Sequence, residues 1–194
     1  MKYNSTISQQ DLQIIANQIG HVMKHYALET EPKDGKTDAV FETVGLYFDN
    51  KNIEIHCDEG YLPPDDFDLG IFSIIDWAQK KIPSGVENKD LINVPVEKVL
   101  TKIELLQEHV VATNSSHCNE WELDHVVGFI FYFGQYKFIV NKRNSWSDFI
   151  ATSFGSSDLP LPQTDEWQDE KENGIEYHYE SQLKQFNIMD LLKS

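Results

Sequence analysis

The sequence predicts an α+β fold, an antiparallel sheet of about four or five strands with four or five helices packed on it. Three observations carry that expectation. Two stretches, near residues 39–57 and 126–142, read as strand, turn, strand; several others space their apolar residues at three and four, as a helix does. In a chain of 194 residues with 40% hydrophobic and 12% aromatic side chains, there is enough apolar surface for one folded core. A single domain over 1–194 is the simplest organisation, and no repeat at a fixed period divides it.

The first helix is predicted between Ser8 and Tyr26. Ser8 and Asp11 stand at capping-box spacing, and Leu12, Ile15, Ile19, Val22, Met23 and Tyr26 form one stripe. His21 and His25 would flank that stripe in solvent. Next, AVFETVGLYF and NIEIHC read as strands joined through Asp49-Asn50-Lys51-Asn52, with Asn50 and Lys51 central. Alternation then places Val44, Leu46, Phe48, Ile53, Ile55 and Cys57 on the core face and turns His56 outward. A helix capped by Asp68 would run through IFSIIDWAQKKI to Pro83, and another from Asn93 and Pro95 would carry Val96, Val99, Leu100, Ile103, Leu106 and Val110.

The most apolar stretch follows. With a two-residue turn at Gly134-Gln135, Phe129, Phe131, Phe133, Tyr136, Phe138 and Val140 share one face, and Ile130, Tyr132, Lys137 and Ile139 the other. Both faces are largely apolar, so these strands belong in the middle of a covered sheet. Further on, SWSDFIATSF reads as a short helix, IEYHY as a strand, and Ser181 to Lys193 as a closing helix.

Charge is the strongest global signal. The formal charge is −16, from 32 acidic against 16 basic side chains, which repels nucleic-acid phosphates and anionic lipid surfaces and attracts cationic partners. Two segments hold most of the excess: 58–68 has five acids and no base, and 158–180 has eight acids against Lys171. Aromatic residues are interleaved with the acids. Tyr61 and Phe67 lie near Asp65 and Asp66, and Trp167 lies among Asp165, Glu166, Asp169 and Glu170. Protein hot spots combine an aromatic anchor with polar contacts, so these nine residues are the expected partner-binding site.

A reaction centre is harder to find. Cys118, His125 and Asp124 are the residue types of a nucleophile, its base and an orienting group. However, Asp124 and His125 are adjacent and point to opposite faces of a strand, and SSHCNE lacks the glycine of a nucleophile elbow. The two His-Cys pairs, His56-Cys57 and His117-Cys118, do not match the ligand spacing of a zinc site. Phosphate-binding and dinucleotide-binding glycine loops, a Gly-x-Ser-x-Gly elbow, a His-Glu-x-x-His helix and an EF-hand loop are missing from the sequence. No cofactor or metal is therefore expected, and an enzyme is not the favoured class.

The two cysteines stand without a secretory leader pattern, and no apolar run reaches the roughly 18 residues of a membrane helix. A reduced, cytoplasmic protein is expected. In size, acidity and lack of a catalytic motif the chain resembles, in general character, the bacterial immunity proteins that neutralise toxins. That resemblance implies an inhibitor that binds a basic protein, a nuclease among the candidates; the competing expectation is a cysteine-dependent hydrolase or transferase built on Cys118, His125 and Asp124.

Overall fold

The computed structural model describes the chain except residues 29, 42, 63–66, 77–90, 115–118, 144–146, 148, 157, 162–166, 171–175 and 194, with backbone alone at 38–41, 61–62, 67–68, 119, 167–170 and 176. The elements are β1 (Lys2–Ser5), α1 (Gln9–Ala16), β2 (Val22–Leu28), β3 (Lys36–Phe41), β4 (Thr43–Phe48), β5 (Asn52–Leu62), β6 (Phe67–Asp76), β7 (Ile92–Val99), β8 (Lys102–Asn114), β9 (Asn119–Phe133), β10 (Tyr136–Lys142), β11 (Ile150–Ser156), β12 (Trp167–Glu170), β13 (Glu176–Asn187) and α2 (Ile188–Leu191). An eight-stranded sheet runs β12-β13-β8-β9-β10-β11-β3, with β1 added in parallel beside β9. A five-stranded sheet runs β6-β5-β4-β2-β7.

This architecture overturns the α+β expectation. The protein is mainly β, with two helices among the described residues. The stripe from 93 to 110 is not helical but forms β7 and β8, the stretch after Asp68 is β6 as far as Asp76 with 77–83 outside the described residues, 150–156 is β11, and β13 runs on to Asn187, so that of the expected closing helix only α2, Ile188–Leu191, is helical. The first helix does form, but it is short. Ser8 Oγ accepts from the Asp11 backbone N–H and caps it, and the chain leaves the helix after Ala16 through Gly20 at φ +93°. That backbone conformation suits glycine, and β2 begins two residues later.

Bulges explain the helical look of several strands. In β2 a register shift between Met23 and His25 lets Met23 and Tyr26, three apart, both bury. In β8 the inward set changes from Ile103 and Leu105 to Glu108, Val110 and Ala112 beside a shift in its register with β9, where Leu106 pairs with Gly128 and Gln107 with Val126, so that β9 carries the extra residue. A strand whose phase slips mimics a period between three and four. The expected strand 39–48 also divides: β3 pairs with β11 in the large sheet, and β4 pairs with β2 and β5 in the small one.

The two hairpins are where the sequence placed them. Phe131 faces Phe138 and Phe129 faces Val140 across the β9–β10 pair, and Gly134 sits at φ +65° at the first position of the two-residue turn. At the β4–β5 turn, Leu46 pairs with Ile53 and Phe48 N–H donates to the Lys51 carbonyl, so Asp49 and Asn50 are central, one residue before the expected pair. The resulting slip of the pairing is even, so the core face is unchanged. Val44, Leu46, Phe48, Ile53, Ile55 and Cys57 are all buried.

The sheets pack face to face over one main cluster. Tyr26 of the small sheet stacks on Phe138 of the large one at 4.3 Å between centroids, and Phe72 meets Phe129 edge-on at 5.4 Å. One end is closed by α1 and α2, which bury Leu12, Ile15, Ala16 and Ile188, while the Asp11 carboxylate accepts from the Ile74 N–H on the open edge of β6. The outer face of the large sheet is apolar too: Leu106, Val127, Ile130 and Ile139 form a second layer against Leu159 and Leu161.

Gly128 is required where β9 lies against the backbone of β10. A Cβ there would strike the Val140 carbonyl oxygen and come within 2.8 Å of the Asn141 Cα. Both are backbone atoms that cannot swing aside. Gly128→Ala is expected to lower the unfolding midpoint by the equivalent of about 1 to 3 kcal/mol, the usual range for overpacking; an unchanged midpoint in urea would refute the close approach.

Candidate functional site

At the end of the sandwich opposite the helices, a separate cluster joins the sheets. Leu69 of β6 packs with Val110 and Ala112 of β8, Trp121 and Leu123 of β9, and Tyr177 and Tyr179 of β13. Trp121 lies against Tyr179 at 5.7 Å. This cluster brings the stems of both acidic segments together. In one, Tyr61 pairs with Asp68 and Leu62 with Phe67 at the tip of the β5–β6 hairpin. In the other, Trp167 pairs with Tyr179 and Asp169 with Tyr177, so β12 is the edge of the large sheet.

Of the expected binding residues, Asp65, Asp66, Asp165 and Glu166 lie outside the described residues. Tyr61, Phe67, Trp167, Asp169 and Glu170 are placed by their backbones alone. Among their described neighbours, Asp58, Glu59 and Glu180 are exposed. Thus two segments over 90 residues apart in sequence supply strand ends to one end of the molecule, and exposed carboxylates stand around it.

Directly beneath lies a polar chain whose members stand far apart in the sequence. Four consecutive strands of the large sheet each give one residue: Ser181 from β13, Glu108 from β8, His125 from β9 and Lys142 from β10. Ser181 Oγ donates to Glu108 Oε1 at 2.6 Å, His125 Nε2 lies 3.0 Å from Glu108 Oε2, and Lys142 Nζ lies 3.2 Å from His125 Nδ1. An ammonium has only protons to give, so Nδ1 accepts and the imidazole proton sits on Nε2, donating to Glu108. The chain faces the small sheet, where Lys142 stands 5.9 Å from the Phe72 ring centre. His125, Glu108 and Lys142 are 0%, 1% and 3% exposed, so no reactant reaches them from solvent in this state.

Burial sets the ionisation of the chain. The His125 imidazole is held below its ordinary value, first by burial, with Lys142 adding to the effect and Glu108 opposing it. Burial likewise lowers the Lys142 ammonium to about 8 against the pull of Cys57 and Glu108.

The trio Cys118, His125 and Asp124 is not assembled around His125. Asp124 points to the other face, where its carboxylate meets His109 Nδ1 at 2.9 Å, and Cys118 lies outside the described residues. His56 turns away from the core as alternation requires, but it is not in solvent: it is 8% exposed, bonded to Glu54 at 2.7 Å and Thr43 at 3.1 Å. Nor do His21 and His25 flank a helix. His21 pairs with Asp49 at 3.0 Å, and His25, in β2, stacks on Tyr47 at 4.2 Å. Among the described residues, no group of three or more His, Cys, Asp or Glu is arranged to hold a metal ion, and no helix is long and apolar enough to cross a membrane. Compared with family models, curated proteins and solved structures, the chain matches none.

Proposed function

We propose that the protein is an acidic protein-binding inhibitor, a bacterial immunity protein that neutralises a basic toxin, a nuclease being the favoured target, and that it works in the cytoplasm. One observation carries the reading: the two segments that hold most of the −16 charge rise from strands that meet at the Leu69–Tyr177–Tyr179 cluster. Carboxylates gathered there offer a cationic protein what nucleic-acid phosphates would, and such fields speed association to about 10⁸–10⁹ M⁻¹s⁻¹. Nucleic acid and anionic membranes are repelled by the same field. A cysteine hydrolase has less behind it, because Asp124 is engaged by His109 and His125 by Glu108 and Lys142.

The test is genetic and kinetic. The product of the adjacent reading frame is expected to be basic, to be toxic when expressed alone, and to be neutralised when this chain is co-expressed. With that partner, Trp167→Ala should mainly speed dissociation, and reversing Asp58 and Glu59 to lysine should slow association and flatten its salt dependence. A harmless or acidic neighbour, or association indifferent to salt, would overturn the reading.

A further inference from the structure

We propose that the Ser181–Glu108–His125–Lys142 chain is an acid-sensitive latch, which holds four strands of the large sheet together while His125 is neutral and releases them when it is protonated. The geometry leaves a second proton nowhere to go. Neutral His125 accepts from Lys142 through Nδ1 and donates to Glu108 through Nε2, so both ring nitrogens are matched. Once Nδ1 carries a proton, it confronts the Lys142 ammonium at the same 3.2 Å, donor against donor, with both groups away from water.

The groups described around His125 are already engaged with one another. From β8, Glu108 already accepts from Ser181 and faces His125; from β10 comes the Lys142 charge; from β5, Cys57 acts on Lys142. On β9 itself, Asp124 lies on the opposite face and is held by His109, while β1 offers the Ser5 backbone beside His125. Among the described residues, Glu108 thus faces both His125 and the Lys142 charge. The strain falls on the β13–β8–β9–β10 ladder and on the aromatic cluster beside it, because Ser181 lies two residues from Tyr179 and His125 two from Leu123.

The sign follows from linkage. A histidine held below its ordinary 6.5 in the folded state binds its proton more readily when unfolded, so its stabilising contribution is complete above about pH 6.5 and is lost as pH falls toward the folded value. The pull from Asp124 and Glu108 moderates that loss without reversing it.

The experiment is backbone hydrogen exchange on the intact chain at about pH 7 and about pH 5, corrected for intrinsic rates, with nitrogen-15 imidazole shifts recorded alongside. Amides around Glu108, His125, Lys142 and Ser181 are expected to open faster at the lower pH, by up to roughly tenfold for each pH unit below the free value of about 6.5 until the folded histidine itself titrates, while the β4–β5 pair stays protected. His125→Gln, whose amide can accept from Lys142 and donate to Glu108 without titrating, should abolish the difference. At neutral pH the imidazole shifts should report the Nε2–H tautomer. A His125 that protonates without any change in exchange, an opening spread equally over both sheets, no change in exchange between the two pH values, or the Nδ1–H tautomer at neutral pH would each overturn the latch. The shifts and the wild-type exchange decide the matter even if the variant does not fold.

Discussion

Truncating Phe138 to alanine is expected to cost about 3 to 5 kcal/mol, and Phe131 to alanine slightly less within the same range. Both rings are 0% exposed and face each other across β9 and β10 at 6.0 Å. Phe138 carries more because it also joins the sheets, stacking on Tyr26 at 4.3 Å and touching Phe154 at 6.5 Å. Close packing gives the resulting cavity no mobile neighbour with which to fill it. Urea unfolding should show both midpoints falling at an unchanged slope. Phe149, 42% exposed, is the control, and its alanine variant should stay within about 0.5 kcal/mol of the parent. If all three variants unfold alike, the β9–β10 hairpin is not the centre of the core.

That hairpin was legible in the sequence because nothing disturbs its period. From Phe129 to Val140 the faces alternate without a bulge, and one glycine sits where a two-residue turn needs it. The β4–β5 hairpin was legible for the same reason, and its shifted turn did no harm since the slip was even. The helical expectations failed on two physical counts. A bulge in β2 and the register shifts between β8 and β9 break the alternation that identifies a strand, and the second apolar layer under Leu159 and Leu161 makes both faces of the large sheet hydrophobic. A strand buried on both sides shows no alternation to read.

The site was legible in the same uneven way. Acid and aromatic residues could be counted, but their meeting depends on β6 reaching Tyr177 and Tyr179 of the other sheet, a contact more than 100 residues distant. The polar chain left one trace: Lys142 continues the inward series Tyr136, Phe138, Val140, and a lysine in phase with a core face needs a partner. Glu108 left none, because it lies just past the register shift between β8 and β9, out of phase with the inward residues Ile103 and Leu105. His125 stood among the candidates with the wrong companions, since adjacency in sequence favours Asp124, whereas a strand delivers Asp124 to His109 and His125 to the strands beside it.

Lys142 should make the protein more stable as the solution becomes alkaline, against the trend its composition sets. Raising the pH of a chain already at −16 adds negative charge and self-repulsion, which weakens the compact state. Lys142 works the other way. Folded, its ammonium gives up the proton at about 8, whereas in the unfolded chain it keeps it to the ordinary 10.5. Between those values the unfolded state binds more protons, so stability rises with pH. The interval corresponds to about 3 kcal/mol in full, most of it gained by about pH 10. Beyond that, two tyrosines reverse the slope. Burial pushes the Tyr26 phenol up to about 12, and burial with the Glu104 carboxylate raises Tyr132, so the unfolded chain loses those protons first and stability falls above the ordinary 10. Thermal melts at constant ionic strength should therefore show a rise from about pH 8 and a maximum near pH 10. In Lys142→Met, which fills similar space without a titrating group, the rise should vanish while the decline above 10 remains. A parent protein with a flat or falling profile through that window, or a variant that keeps the rise, would mean that Lys142 does not carry a buried charge between the sheets.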